Sequence, residues 1–119
     1  MDSAIILFAH GSRDPKWREP IETIASSILS RAPERLVRCA YLELCAPTLP
    51  QAAAELVSRG AHRLKVFPLF LGVGKHARED IPALLDEIRT AHPGIDIDLL
   101  PTIGESPQLI ALIADLALF

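Results

Sequence analysis

Cysteine is scarce in this chain, which has only Cys39 and Cys45, six positions apart and without a C-x-x-C pair. That excludes a disulfide framework and a zinc-ribbon spacing, and it predicts buried, inert thiols in a reducing, cytoplasmic setting. Positive charge is not in excess either: 12 Lys and Arg stand against 15 Asp and Glu, a formal charge of −3. A global attraction to nucleic acid is therefore not expected, and any hold on an anion must be local. A long apolar run is missing. The N-terminus M-D-S-A-I-I places an acid where a signal peptide carries positive charge, and the apolar C-terminal stretch Leu109 to Phe119 would, at about 1.5 Å per helical residue, cross only about half of a bilayer core. No membrane partner is expected. Low-complexity stretches and interdomain linkers are also lacking, so residues 1–119 read as a single domain with one core.

What the chain does have is alternation. Ala4 to Ala9 is a continuous apolar run, the pattern of a strand buried on both faces. Pro15 to Arg31 then repeats apolar residues at Ile21, Ile24, Ala25, Ile28 and Leu29, one face of a helix that Ala32-Pro33 ends. Leu36 to Leu44 alternates as a strand with one more exposed face, and Glu43 stands at its C-terminal end. Ala46-Pro47-Thr48 opens a second helix, with Gly60 placed to cap it in a left-handed conformation. Leu64 to Leu71 is the second strongly apolar strand, with pairing expected to fray at Pro68, which has no N–H to give a ladder. Two glycines release it into a loop carrying Lys75, His76 and Arg78, and a helix is predicted to restart near Asp80. Ile95 to Leu100 alternates as an edge strand does, and Pro107 to Leu118 closes with a nearly all-apolar helix.

Four strands alternating with four helices predict an α/β fold, a parallel sheet with helices on both faces and right-handed crossovers. Placing the two fully apolar strands in the centre gives the order 2-1-3-4, with its topological switch point between the first and third strands. Ligands of open α/β sheets bind outside the strand carboxyl ends at that crevice. His10 follows the first strand and His76 the third, while Glu43 ends the neighbouring second strand. Two imidazoles and a carboxylate suit a divalent transition metal with open positions, and equally suit acid-base work, because histidine titrates near neutrality. His62, at the opposite edge, and His92, at a helix C-terminus, are expected to be structural. Arg13, Lys16, Lys75 and Arg78 flank the two histidine loops and would favour a polycarboxylate or phosphate. Gly72-Val73-Gly74-Lys75 lacks the length and the Ser/Thr of a Walker loop, so no nucleotide is expected.

Three motifs, F-A-H-G-S-R-D-P, Y-L-E-L-C-A-P-T-L-P and F-P-L-F-L-G-V-G-K-H-A-R-E-D-I-P, resemble the class II tetrapyrrole chelatases of the CbiX/SirB family, over nearly the whole chain. The resemblance implies a chelatase fold and nucleotide-free insertion of cobalt or iron, as Co2+ or Fe2+, into sirohydrochlorin in cobalamin or siroheme synthesis. It makes His10 and His76 catalytic and metal-binding and Glu43 a further ligand or acidic partner. A polycarboxylated tetrapyrrole would meet Arg13, Lys16, Lys75 and Arg78. Long members look like two fused copies of such a domain. This chain supplies one and resembles the short form, which implies a homodimer, with the last helix able to support the interface or complete the core; one half of a longer protein is the other reading. A metal or tetrapyrrole carrier would use the same pocket. A histidine phosphatase would carry an arginine before the histidine, where this chain has Ala9.

Overall fold

The structure, a computed structural model, describes residues 3–119. Among these, four strands form one sheet in the order β2-β1-β3-β4: β1 Ser3–Ala9, β2 Leu36–Tyr41, β3 Arg63–Pro68 and β4 Asp96–Leu99. All three pairings are parallel. β1 lies between β2 and β3, with Leu7 opposite both Cys39 and Phe67. The expected fold class and strand order are those observed.

Because side chains alternate along a strand, β1 feeds two cores. Ala4, Ile6 and Phe8 join Leu64 and Val66 beneath α2 (Leu49–Ser58) and α3 (Lys75–Ala91), where Leu49, Leu56, Ile81, Leu85 and Ile88 are buried. Leu7 and Ala9 turn to the other face with Cys39 and Tyr41, against Ile21, Ala25 and Ile28 of α1 (Glu19–Arg31). A strand with both faces covered has no room for polar residues, which is why its sequence is uninterruptedly apolar. No helix among the described residues is long and apolar enough to cross a membrane.

Local chemistry sets the ends. Thr48 caps α2 in a reciprocal capping box with Gln51, and Gly60 at φ 101° turns the chain beyond it. Asp14 accepts from the Lys16 N–H at 3.0 Å and starts a 3-10 turn, Pro15–Arg18, so the first helix is split rather than continuous. β2 stops at Tyr41, three residues short of the expected Leu44, because Leu44 adopts φ 69° and Cys45 N–H bonds back to the Glu43 carbonyl, which turns the chain. β3 ends at Pro68 rather than Leu71. Leu69 N–H donates to Phe8, so alternation sends the donorless Pro68 nitrogen toward β4, whose pairing has already ended at Val66–Leu99. Pro68 thus closes β3 without breaking its ladder to β1. β4 is likewise shorter than the expected Ile95 to Leu100.

The largest departure concerns α3, which begins at Lys75, five residues before Asp80. Pro82 favours a helix start close to itself, yet it lies inside α3 at an exposed position, where it leaves the Arg78 carbonyl without its helical donor. His76 is therefore a first-turn helix residue and not a loop residue. The last helix, α4 (Pro107–Leu118), buries no side chain and does not complete the core: Ile110, Leu112, Leu116, Leu118 and Phe119 are more than half exposed.

One close approach places the site. Gly11 has φ 110°, and a Cβ there would overlap the Glu43 carbonyl, so only glycine lets the β1 and β2 loops touch. We expect Gly11→Ala to lower stability by roughly 2 kcal/mol or more, read as a lower urea midpoint; an unchanged midpoint would contradict the contact. The Cys39 thiol is pushed above its ordinary pKa, first by burial and then by the nearby Glu22 charge, which depletes the reactive thiolate. Cys39 should resist iodoacetamide in the native protein and react once urea unfolds it; equal labelling in both states, followed by mass spectrometry, would show that the site is open.

Candidate functional site

The carboxyl ends of β1, β2 and β3 converge because all four strands run the same way. A cleft of about 470 Å³ opens there, lined by His10, Leu42, Glu43, Gly74, Lys75, His76, Ala77 and Asp80. It lies between the strands where the order reverses, as the topology requires.

Each side chain arrives by a separate route. His10 is the first residue beyond β1, and its ring rests on Phe70, with centroids 4.3 Å apart and planes at 47°. Backbone bonds carry the β1–β2 pairing past the end of β2: Leu42 N–H donates to Ala9 and Glu43 N–H donates to His10, both at 2.9 Å. That second bond fixes Glu43 beside His10. Gly74, extended at φ −68° and ψ 166°, is the N-cap of α3, and Arg78 N–H closes the first turn on its carbonyl at 3.0 Å. The N–H groups of Lys75, His76 and Ala77 have no acceptor within the helix, so the cleft wall formed by this turn presents donors. Asp80 lies one turn after His76 on the same helix face.

The cleft therefore gathers two imidazoles, two carboxylates and one ammonium. His10, Glu43, Lys75, His76 and Asp80 are all solvent-exposed. None enters an ion pair of the described residues, which join Arg18 to Glu22, Arg38 to Glu55, Arg63 to Asp96 and Arg89 to Asp86. His10, Glu43 and His76 share the cleft without closing on one point: among the described residues no three His, Cys, Asp or Glu side chains are grouped tightly enough to hold a metal ion by themselves. Chemically this is an open arrangement, with nitrogen and oxygen donors around one cleft.

The four basic residues separate. Lys75 lines the cleft. Arg78 turns the other way, into a neighbouring hollow of about 620 Å³ bounded by Leu71, Val73, Ile81, Leu99 and Thr102, where its guanidinium donates to the Val73 carbonyl at 3.4 Å. Arg13 and Lys16 are exposed on the β1–α1 connection and line neither hollow. His62 and His92 border a small hollow of about 240 Å³ near the amino end of β3. Asp80 is the cleft residue that the sequence reading overlooks. Its signal was the i, i+4 spacing from His76, hidden by starting the helix at Asp80 itself. Phe70, within an apolar run, carries no mark of its contact with His10.

This architecture is shared with proteins of known kind. A family model described as CbiX matches residues 4–117. The sirohydrochlorin cobaltochelatase of Methanocaldococcus jannaschii is 37% identical over 89 residues, covering 75% of this chain and 62% of that protein. The CbiX protein from Marinobacter aquaeolei VT8 superposes with a TM-score of 0.83 at 36% identity, covering 97% of this chain and 93% of that one. The sirohydrochlorin chelatase SirB from Bacillus subtilis subspecies spizizenii, solved in complex with cobalt, superposes at 0.82 with 26% identity, over 97% of this chain and 49% of SirB. This chain thus spans about three fifths of the archaeal enzyme and half of SirB. The parallel β2-β1-β3-β4 sheet is common to the fold, and the family match runs from β1 into α4: the chain belongs to the CbiX family.

Proposed function

We propose that this chain inserts a divalent metal, Co2+ or Fe2+, into sirohydrochlorin without a nucleotide, serving cobalamin or siroheme synthesis in the cytoplasm. The observation that carries this reading is the convergence of His10, Glu43 and His76 on one cleft at the switch point of a CbiX fold. Support for cobalt comes from the name of the archaeal relative and from the metal in the SirB structure.

Metalation exchanges two pyrrole N–H protons for one M2+, so the site must hold the metal, release it and take up protons. His10 and His76 offer neutral nitrogen donors, and Glu43 an anionic one. Their loose spacing suits transient holding, because a closed ligand set would compete with the four nitrogens of the macrocycle. Glu43 and Asp80 also offer oxygens that can accept the departing protons within the cleft. Lys75, at the start of α3 among unpaired N–H groups, would bind a peripheral carboxylate, and Arg78, Arg13 and Lys16 would meet others at greater reach.

We further propose a homodimer. A four-stranded domain offers one wall to a flat macrocycle, and this chain corresponds to half of SirB. α4 exposes Ile110, Leu112, Ile113, Leu116 and Leu118, apolar surface of the kind that a second copy would cover.

In an anaerobic absorbance assay of cobalt or ferrous insertion into sirohydrochlorin, His10→Ala and His76→Ala should each slow the reaction about 100-fold or more. Wild-type protein that binds metal but adds no rate over the spontaneous reaction is a carrier, and the enzyme reading then fails. Sedimentation equilibrium should show a dimer at assay concentration; full activity from a species that is monomeric throughout would refute the assembly.

A further inference from the structure

An exposed histidine at a strand end has free rotation about two side-chain bonds unless something holds the ring. At His10 that support is Phe70, whose ring centroid is 4.3 Å away. Phe70 is 1% exposed and also meets Phe8 edge-on, at 5.7 Å and 69°. One face of this side chain therefore belongs to the core and the other to the cleft.

Phe70 follows β3 and is not held by sheet pairing. Its backbone is held from the far end of the chain instead. The Phe70 carbonyl accepts from the Thr102 hydroxyl, with the Pro68 carbonyl 3.3 Å from the same oxygen, and from Gly104 N–H at 3.0 Å. Gly104 lies in the 3-10 turn Ile103–Glu105 that leads into α4. A Cβ at Gly104 would overlap the Leu71 carbonyl, so the turn is pressed against the backbone at residues 70 and 71. Three contacts from one short segment thus fix the residue on which His10 rests.

We infer that Phe70 is a positioning residue for His10 and that Thr102, with Gly104, sets Phe70, so that the β4–α4 connection controls the direction of an imidazole more than ninety positions earlier in the chain. The functional consequence rests on His10 holding the metal; the geometric claim does not. A ring held in place beforehand loses less freedom when a metal binds, so releasing it should weaken binding. Loss of a group that orients a metal-binding histidine typically costs 10–100-fold in affinity.

The test combines two readouts on Phe70→Leu, Thr102→Val and Thr102→Ser. In metal-free protein, NMR of the imidazole protons reports the ring current of Phe70 on His10. Phe70→Leu should move the His10 signals to those of a freely exposed histidine. Thr102→Val should move them part of the way and Thr102→Ser should restore them, with His62 and His92 unchanged in all three. Equilibrium dialysis with Co2+ should show roughly 10-fold or weaker binding in Phe70→Leu and Thr102→Val. Should Phe70→Leu fail to fold, Thr102→Val against Thr102→Ser decides. His10 signals that stay at their wild-type positions in folded Thr102→Val overturn the inference. Wild-type protein that binds no Co2+ sinks the metal reading instead, while the His10 signals still decide the positioning claim.

Discussion

Everything at the cleft depends on β1 being paired on both sides. Because Leu7 lies opposite Cys39 on one strand and Phe67 on the other, the carboxyl ends of three parallel strands come out side by side, and the crossovers must leave from the same edge of the sheet. The apolar run Ala4–Ala9 makes this pairing possible, since a strand covered on both faces can carry no charged residue without leaving it unsatisfied. The chemistry-bearing residues begin one position after that run ends, at His10. The site lies as close to the core as a solvated site can.

Backbone conformation, more than side-chain bonding, then determines the shape of the cleft. Gly11 permits the β1 and β2 loops to touch, Gly104 permits the 3-10 turn to touch residue 71, and Leu44, at φ 69°, turns the chain just after Glu43. A non-glycine residue in the left-handed region costs about 1–2 kcal/mol, so this strain is spent beside Glu43 and not in the helices. The side chains it places form no ion pairs among the described residues, as a site needs if its donors are to be available for a ligand.

α4 has a different standing from the other three helices. α1, α2 and α3 each cover the sheet, whereas α4 packs mainly on the short turn before it and leaves most of its apolar residues in water. The same turn clamps Phe70. The surface proposed to meet a second copy and the contacts that hold Phe70 against His10 are therefore neighbours in the chain.

The sequence by itself determined the strands, their order and the end of the sheet at which the candidate site lies, because burial on two faces, burial on one face and helical spacing leave distinct periodic marks in local residues. It also brought His10, Glu43 and His76 to one crevice through topology alone. The start of α3 departs from the sequence pattern, in which two glycines lead into a loop through Arg78: the helix begins at Lys75, with Ala77 and Ile81 both buried, and local spacing carries no record of that burial. With α3 starting at Lys75, Asp80 enters the cleft and Arg78 leaves it. The support of His10 by Phe70, and of Phe70 by Thr102 and Gly104, could be decided only by the tertiary structure: these contacts join residues with no common period, and local sequence carries no record of which distant backbone will be pressed against it.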